Sequence, residues 1–214
     1  KTSIINGSEV SRLSVAIHRN PRNMKITGTA QAEFLALPTH SKAKVIHAID
    51  RFLLGDGFST LVRVDDNLTG IQTEGAGIQR VIFIRRTVEG DVILGVAMKK
   101  KKRFNQNDAL AFLADRLALS KPANHEYWNN FRKEALTVAA VKSGFENEVL
   151  KETLQKTLMK WRSIAGLTRQ QLANKMGVSY KYLCSIEANP SKVSIITLYH
   201  YAKKCNVKSP QIYL

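Results

Sequence analysis

Residues 166–189 read GLTRQQLANKMGVSYKYLCSIEAN, and this stretch decides how the C-terminal part of the chain folds. Thr168 is an N-cap candidate, because its hydroxyl can accept from a free backbone N–H in the first helical turn. Leu172, Ala173 and Met176 then form one apolar stripe. Gly177 follows, where a residue at ease with φ > 0 stops a helix at little cost. Ser179 caps a second short helix, with Tyr182, Leu183 and Ile186 expected to face inward. Two short helices across a glycine turn make a helix-turn-helix, whose second helix is free to enter a major groove.

The residues around this plan resemble the Cro/repressor (XRE) helix-turn-helix family, to which HigA-like antitoxins belong. The resemblance runs over residues 154–207. It rests on GLT before the second helix, Leu172-Ala173, GVS at 177–179, Ile186-Glu187 and the tail ITLYHYAKKCNV, similar to that family's fourth helix. The scaffold matches, but the family's first-turn Gln is Arg169 here and its Gln at the start of the recognition helix is Tyr180. Its Ser inside that helix is Cys184, and its closing Gly is Ala188-Asn189. The resemblance implies an operator-DNA partner and dimers on palindromic half-sites. It puts Ser179, Tyr180, Lys181 and Ser185 on the recognition helix and its cap, with Tyr180, Lys181 and Ser185 facing base edges. Arg169, Gln170 and Lys192 are then expected on phosphates.

Charge points the same way. The 214 residues carry +16, with a sequence pI near 10.0, which favours nucleic acid or another polyanion as partner. From Lys151 onward nine Lys and two Arg face two Glu, a net +9, which leaves +7 for the rest. Two basic regions imply two nucleic-acid surfaces, or one bound partner that is itself acidic. With 44% hydrophobic and 23% charged residues the composition is that of an ordinary globular chain, long enough for two small domains. No run of about eighteen apolar residues and no signal-peptide pattern is present, so a cytoplasmic protein away from membranes is expected. Cys184 and Cys205 have no CxxC neighbour and read as small buried apolar residues in a reducing compartment. The five histidines show no ligand spacing, so neither metal nor cofactor is expected.

The N-terminal part has a different grammar. Residues 1–23 form an extension with turn signals at Asn6-Gly7 and Asn20-Pro21, and an alternation at Leu13, Val15 and Ile17 that permits a short strand. Met24 to Thr27 is a strand candidate, Ala30 to Leu37 and Ser41 to Leu54 are helices, and Leu61 to Val64 is a strand. Ile78 to Arg86 and Val92 to Met98 form a hairpin around Glu89-Gly90-Asp91. A helix capped by Asn107 or Asp108 runs to Leu119. This order predicts an α+β domain, a helix pair on a small antiparallel sheet. Counting outward from Gly90 puts Arg80 and Lys100 near each other across the ladder.

The run IQRVIFIRRTVEGDVILGVAMKKKKRFNQNDALAFLADR resembles the C-terminal half of the RelE/HigB toxins. Those toxins carry a strand Arg, a hairpin, a Lys-Lys run and a capped helix ending in Arg, and they cut messenger RNA on the ribosome. The resemblance implies 2′-hydroxyl attack on the adjacent phosphate, which needs a base, an acid and cations for the phosphorane charge. Arg80, Lys100 and Lys101 match the catalytic positions, and Lys99, Lys102 and Arg103 would dock RNA. The usual Glu-Leu-Arg is Gln72-Thr73-Glu74 here, and a late Tyr or His is absent between Arg103 and Arg116.

Ser120 to Asn124 reads as a boundary, followed by a helix from His125 to Val141, a break at Ser143-Gly144 and a helix from Glu146 to Ala165. The expected domains are an extension (1–23), a RelE/HigB-like domain (24–119), a connector (120–150) and an all-α helix-turn-helix domain (151–214). The whole reads as a toxin–antitoxin fusion that forms homodimers or higher homo-oligomers. Its rivals are a transcriptional repressor with an inactive toxin-like domain, and a toxin aimed at another target such as gyrase.

Overall fold

The computed structural model describes residues 24–55, 61–64, 66–75, 78–100, 106–114, 116 and 125–211. It divides into two compact units, residues 1–145 and 146–214. The extension at 1–23, the Ser120–Asn124 boundary and Lys101, Lys102 and Arg103 lie outside the described residues.

In the first unit, β1 (Lys25–Ile26) leads into α1 (Gly28–Ala36) and α2 (Thr39–Leu53). A meander follows: β2 (Leu61–Arg63), β3 (Leu68–Gly75), β4 (Ile78–Thr87) and β5 (Gly90–Lys100). Then come α3 (Gln106–Leu113), β6 (Glu126–Tyr127), α4 (Trp128–Ala135) and α5 (Ala139–Ile164), within which the boundary between the units falls. The sheet order is β2-β3-β4-β5-β1-β6. It is mixed rather than wholly antiparallel, because β5, the last strand of the antiparallel meander, pairs in parallel with β1. α1 starts where Thr27 caps it, its Oγ1 accepting from the Ala30 N–H at 3.2 Å, and stops before Pro38.

Side chains alternate across the sheet, so each face has its own core. Ile71, Ile82, Ile84, Ile93 and Val96 pack with Phe34 of α1 and Val45, Ile46 and Ile49 of α2. Leu68, Val81, Phe83, Val92, Leu94 and Ala97 pack under Ala109 and Leu113 of α3. The spacing slips from two to three at Ile93/Val96 because a bulge lies opposite Phe83/Ile84, with Leu94 as the extra residue. That bulge, and a turn on Val88-Glu89 rather than on Gly90, correct the expected register. Arg80 pairs with Met98, and Lys100 with Ile78.

Residues 125–145 of the segment expected to be a connector belong to this unit. β6 pairs antiparallel with β1, and α4 places Trp128 and Phe131 edge-on to Phe34, with ring centroids 6.5 and 5.2 Å away. Arg132 closes the arm with a two-pronged ion pair to Asp50, Nε at 2.9 Å and Nη2 at 2.6 Å. The predicted single helix from His125 to Val141 is interrupted at residues 136–138, and α5 runs through Ser143-Gly144 without a break. Gly144 is there for space: a Cβ would stand 2.9 Å from that of Ala43 in α2.

In the second unit, the C-terminal part of α5 packs with α6 (Arg169–Met176), α7 (Tyr180–Ala188), a 3₁₀ turn (Pro190–Lys192) and α8 (Ile195–Lys204). Leu158, Leu172, Ala173, Leu183, Ile186, Leu198, Tyr201 and Cys205 make its core.

Candidate nucleic-acid interface

The helix pair α6–α7 is built from its ends. Thr168 Oγ1 accepts from the Gln171 N–H at 3.2 Å, and Gln171 Oε1 accepts from the Thr168 N–H at 2.9 Å, a reciprocal capping box. Gly177 ends α6 with φ 68°, a left-handed conformation that costs a glycine almost nothing. Ser179 Oγ then accepts from the Tyr182 N–H at 3.1 Å and starts α7. Leu183 and Ile186 turn inward. Ser179 therefore serves the helix first, as its cap.

Behind α7 lies a buried carboxylate. Glu187 Oε1 accepts from Arg162 Nε at 2.6 Å and from the Tyr201 hydroxyl at 2.7 Å, and Oε2 accepts from Arg169 Nε at 2.6 Å. Burial pushes the carboxyl pKa up, but the hydrogen bonds from Arg162, Arg169 and Tyr201 outweigh it and hold the group below its ordinary range. Burial and the same carboxylate push the Tyr201 hydroxyl well up, so it stays a donor. One side chain thus ties α5, α6 and α8 to the recognition helix. This hub was absent from the sequence reading. Its signal was there: Glu187 is one of two acids after Lys151 in a segment of eleven cations.

The outward stripe of α7 carries Tyr180, Lys181, Tyr182 and Ser185, all exposed. Tyr182 corrects an expectation. It is 46% exposed rather than inward, and with Ser185, Asn189, Lys192, Ser194 and Thr197 it lines an open hollow of about 390 Å³. Lys192 stands exposed on the 3₁₀ turn. Gln170 is exposed, with its amide donating to Asn174 Oδ1 at 3.0 Å. Arg169 differs from the expectation of a phosphate contact in having a partner already, the Glu187 carboxylate, although its side chain remains 43% exposed. The face therefore offers two lysines, two phenols, a serine and an amide, which is the donor and acceptor chemistry that reads base edges and holds phosphates.

Of the residues singled out in the first unit, Arg80 and Lys100 lie on the paired strands β4 and β5, and Lys101, Lys102 and Arg103 lie outside the described residues. Arg80 is fully buried in the sheet. It lies on the α1–α2 face, in line with Ile82 and Ile84. Lys99 and Lys100 close β5, opposite Gln79 and Ile78. Among the described residues no group of His, Cys, Asp and Glu could hold a metal ion, and no helix is long and apolar enough to cross a membrane.

A helix-turn-helix family model matches residues 158–212, which span α6, α7 and α8. The match supports a DNA-binding transcription regulator. No curated protein and no solved structure matches the chain.

Proposed function

We propose that the protein is an operator-binding repressor in which a RelE/HigB-like domain and a HigA-like helix-turn-helix domain are joined in one chain. The observation that carries the DNA-binding part is the exposed stripe of α7, held from behind by Glu187. Tyr180, Lys181 and Ser185 face base edges, and Gln170 and Lys192 hold phosphates. Selection of bound sequences from randomised duplexes tests this. Lys181→Ala should relax the selected motif, whereas Lys192→Ala should weaken all duplexes alike and reduce the salt slope by about one. If Lys181→Ala leaves both motif and affinity unchanged, the assignment fails.

The protein acts as a homodimer on paired half-sites. An apolar groove of about 460 Å³, lined by Leu154, Trp161, Val193, Ile195, Leu198 and Tyr199 among others, supports this reading. Its lining contains no charged residue, although the chain from Lys151 onward carries +9. A second copy seated there buries no charged side chain of the lining. Sedimentation of Ile195→Asp should give the monomer.

For the first unit, the topology supports the toxin-like reading: a leading strand, two helices and a meander whose last strand lies parallel to the first. The arm from Glu126 to Phe145 then plays the antitoxin part in cis, as a strand and a helix seated on the toxin-like fold. Between a masked messenger-RNA endonuclease and a non-cleaving domain, the burial of Arg80 favours the second. Expression of the full chain and of residues 24–116 separates the two. Arrest with cut messenger RNA from the shorter chain alone supports the masked nuclease. Absence of arrest, with the fragment soluble and folded by circular dichroism, supports the non-cleaving domain.

A further inference from the structure

Ser185 and Lys181 lie one turn apart on the outward stripe of α7, and both are exposed. The Ser185 hydroxyl donates to the Tyr182 carbonyl at 2.7 Å. A serine hydroxyl has one hydrogen and two lone pairs. With the hydrogen committed three residues back, the oxygen presents lone pairs alone to anything in front of the helix. Lys181 is the opposite case, since an ammonium has donors and no acceptor. The stripe therefore carries a donor and, four residues on, an acceptor. Ser185 is reachable, because it lines the open hollow beside Tyr182 and Asn189.

On the proposed operator binding, we infer that Ser185 accepts a hydrogen bond from the exocyclic amino group of an adenine or a cytosine and disfavours a guanine or thymine edge at that place. In the major groove only adenine N6 and cytosine N4 donate, whereas guanine N7 and O6 and thymine O4 accept. An accepting edge would face the Ser185 oxygen lone pair to lone pair, unless the hydroxyl gave up its bond to Tyr182. Four residues advance about 6 Å along a helix. A base step advances about 3.4 Å along the strand. Lys181 and Ser185 therefore read different base pairs, the lysine taking the accepting edge and the serine the donating one.

The test uses the full chain. Sequences are selected from randomised duplexes with the wild type, Ser185→Ala and Ser185→Thr, and the position flattened by Ser185→Ala is identified. Duplexes are then made with purine for adenine, or 2-pyrimidinone for cytosine, at that position, which deletes the amino group alone. Loss of the amino group should weaken the wild type about fivefold, the worth of one neutral hydrogen bond. It should leave Ser185→Ala unchanged, and Ser185→Thr, which keeps the hydroxyl, should retain the preference. Coupling of Ser185 to a 7-deazapurine, which lacks the N7 acceptor, instead of to the missing amino group would overturn the inference. So would a wild-type motif that Ser185→Ala flattens nowhere. A wild type that selects no motif at all would instead remove the operator reading on which the inference rests.

Discussion

The arm at 126–145 and the recognition helix α7 are each fastened from behind by one buried side chain, and the two side chains are of opposite kinds. Trp128 fills the α1–α2 face of the first unit, with Phe34 and Phe131 against it. Glu187 gathers Arg162, Arg169 and Tyr201 in the second. The aromatic anchor works by removing apolar area from water, and it tolerates small shifts of its neighbours. The carboxylate works by direction: three donors from three helices must meet two oxygens. A recognition helix that reads bases needs its orientation fixed, and charge-assisted hydrogen bonds fix it better than contact area does.

The largest effect expected from breaking this contrast is at Trp128. Trp128→Ala should cost the first unit about 3–5 kcal/mol, the usual range for emptying a buried indole site. Urea denaturation should show the first unit melting early while the Trp161 fluorescence of the second still reports a native environment. A loss below about 1 kcal/mol would mean that the arm is only lightly seated.

Glu187→Gln comes next, at about 3 kcal/mol for the second unit, because the cations lose a buried partner. It also separates the two anchors by pH. The folded Glu187 carboxyl titrates below its unfolded value of about 4.3. Its contribution is therefore complete above that value and is lost as pH falls through the depressed folded one. Wild-type α7 should loosen on acidification below about pH 4, and Glu187→Gln should flatten that loss. An unchanged acid limb in the variant would show that other groups set it.

Gly144→Leu should cost about 2 kcal/mol, because the added side chain must push away the Ala43 methyl that the glycine lets approach. Thermal melting measures it, and a gain in stability would mean that the helices separate freely there. The smallest change is at the caps. Ser179→Ala should cost about 1 kcal/mol and leave the α7 register intact. Faster hydrogen exchange confined to the first turn of α7 is the expected sign, and exchange spread over the whole unit would contradict it.

The second unit was largely legible because its signals are local. A capping Thr, a glycine at the left-handed position, a capping Ser and an apolar stripe all fall between Thr168 and Ile186, and each does in the fold what its chemistry suggests. Tyr182 was misread because position 182 lies four before Ile186, so periodicity alone cannot place a phenol at the edge of the stripe. The first unit is governed by long-range pairing, and there local reading fell short. Nothing local announces that the turn sits on Val88-Glu89, which alone would set Arg80 opposite Ala97, or that Leu94 is a bulge residue, which moves its partner on by one to Met98. Nothing near Trp128 says that a two-residue strand before it completes a sheet begun a hundred residues earlier. Gly144 looked like a helix break because a glycine costs a helix about 1 kcal/mol, and the close approach of Ala43 that offsets it lies far away in sequence.

Glu33 stands guard over a rim of the sheet in the first unit. β1 covers β5 only at Val92 and Ile93, and among the described residues no strand lies beside the outer rim of β5 beyond them. Glu33 Oε2 accepts from the Val96 N–H on that rim at 2.9 Å, and Oε1 takes Arg116 Nη2 at 2.7 Å. The Arg116 guanidinium lies flat on the Phe112 ring, 3.6 Å from its centroid, over the space that Gly95 leaves open. A foreign strand sliding onto this rim would have to evict a carboxylate from its amide and its guanidinium together. The charge thus acts as a stopper on an otherwise sticky edge, the kind of site where chains of a β-rich domain add to one another.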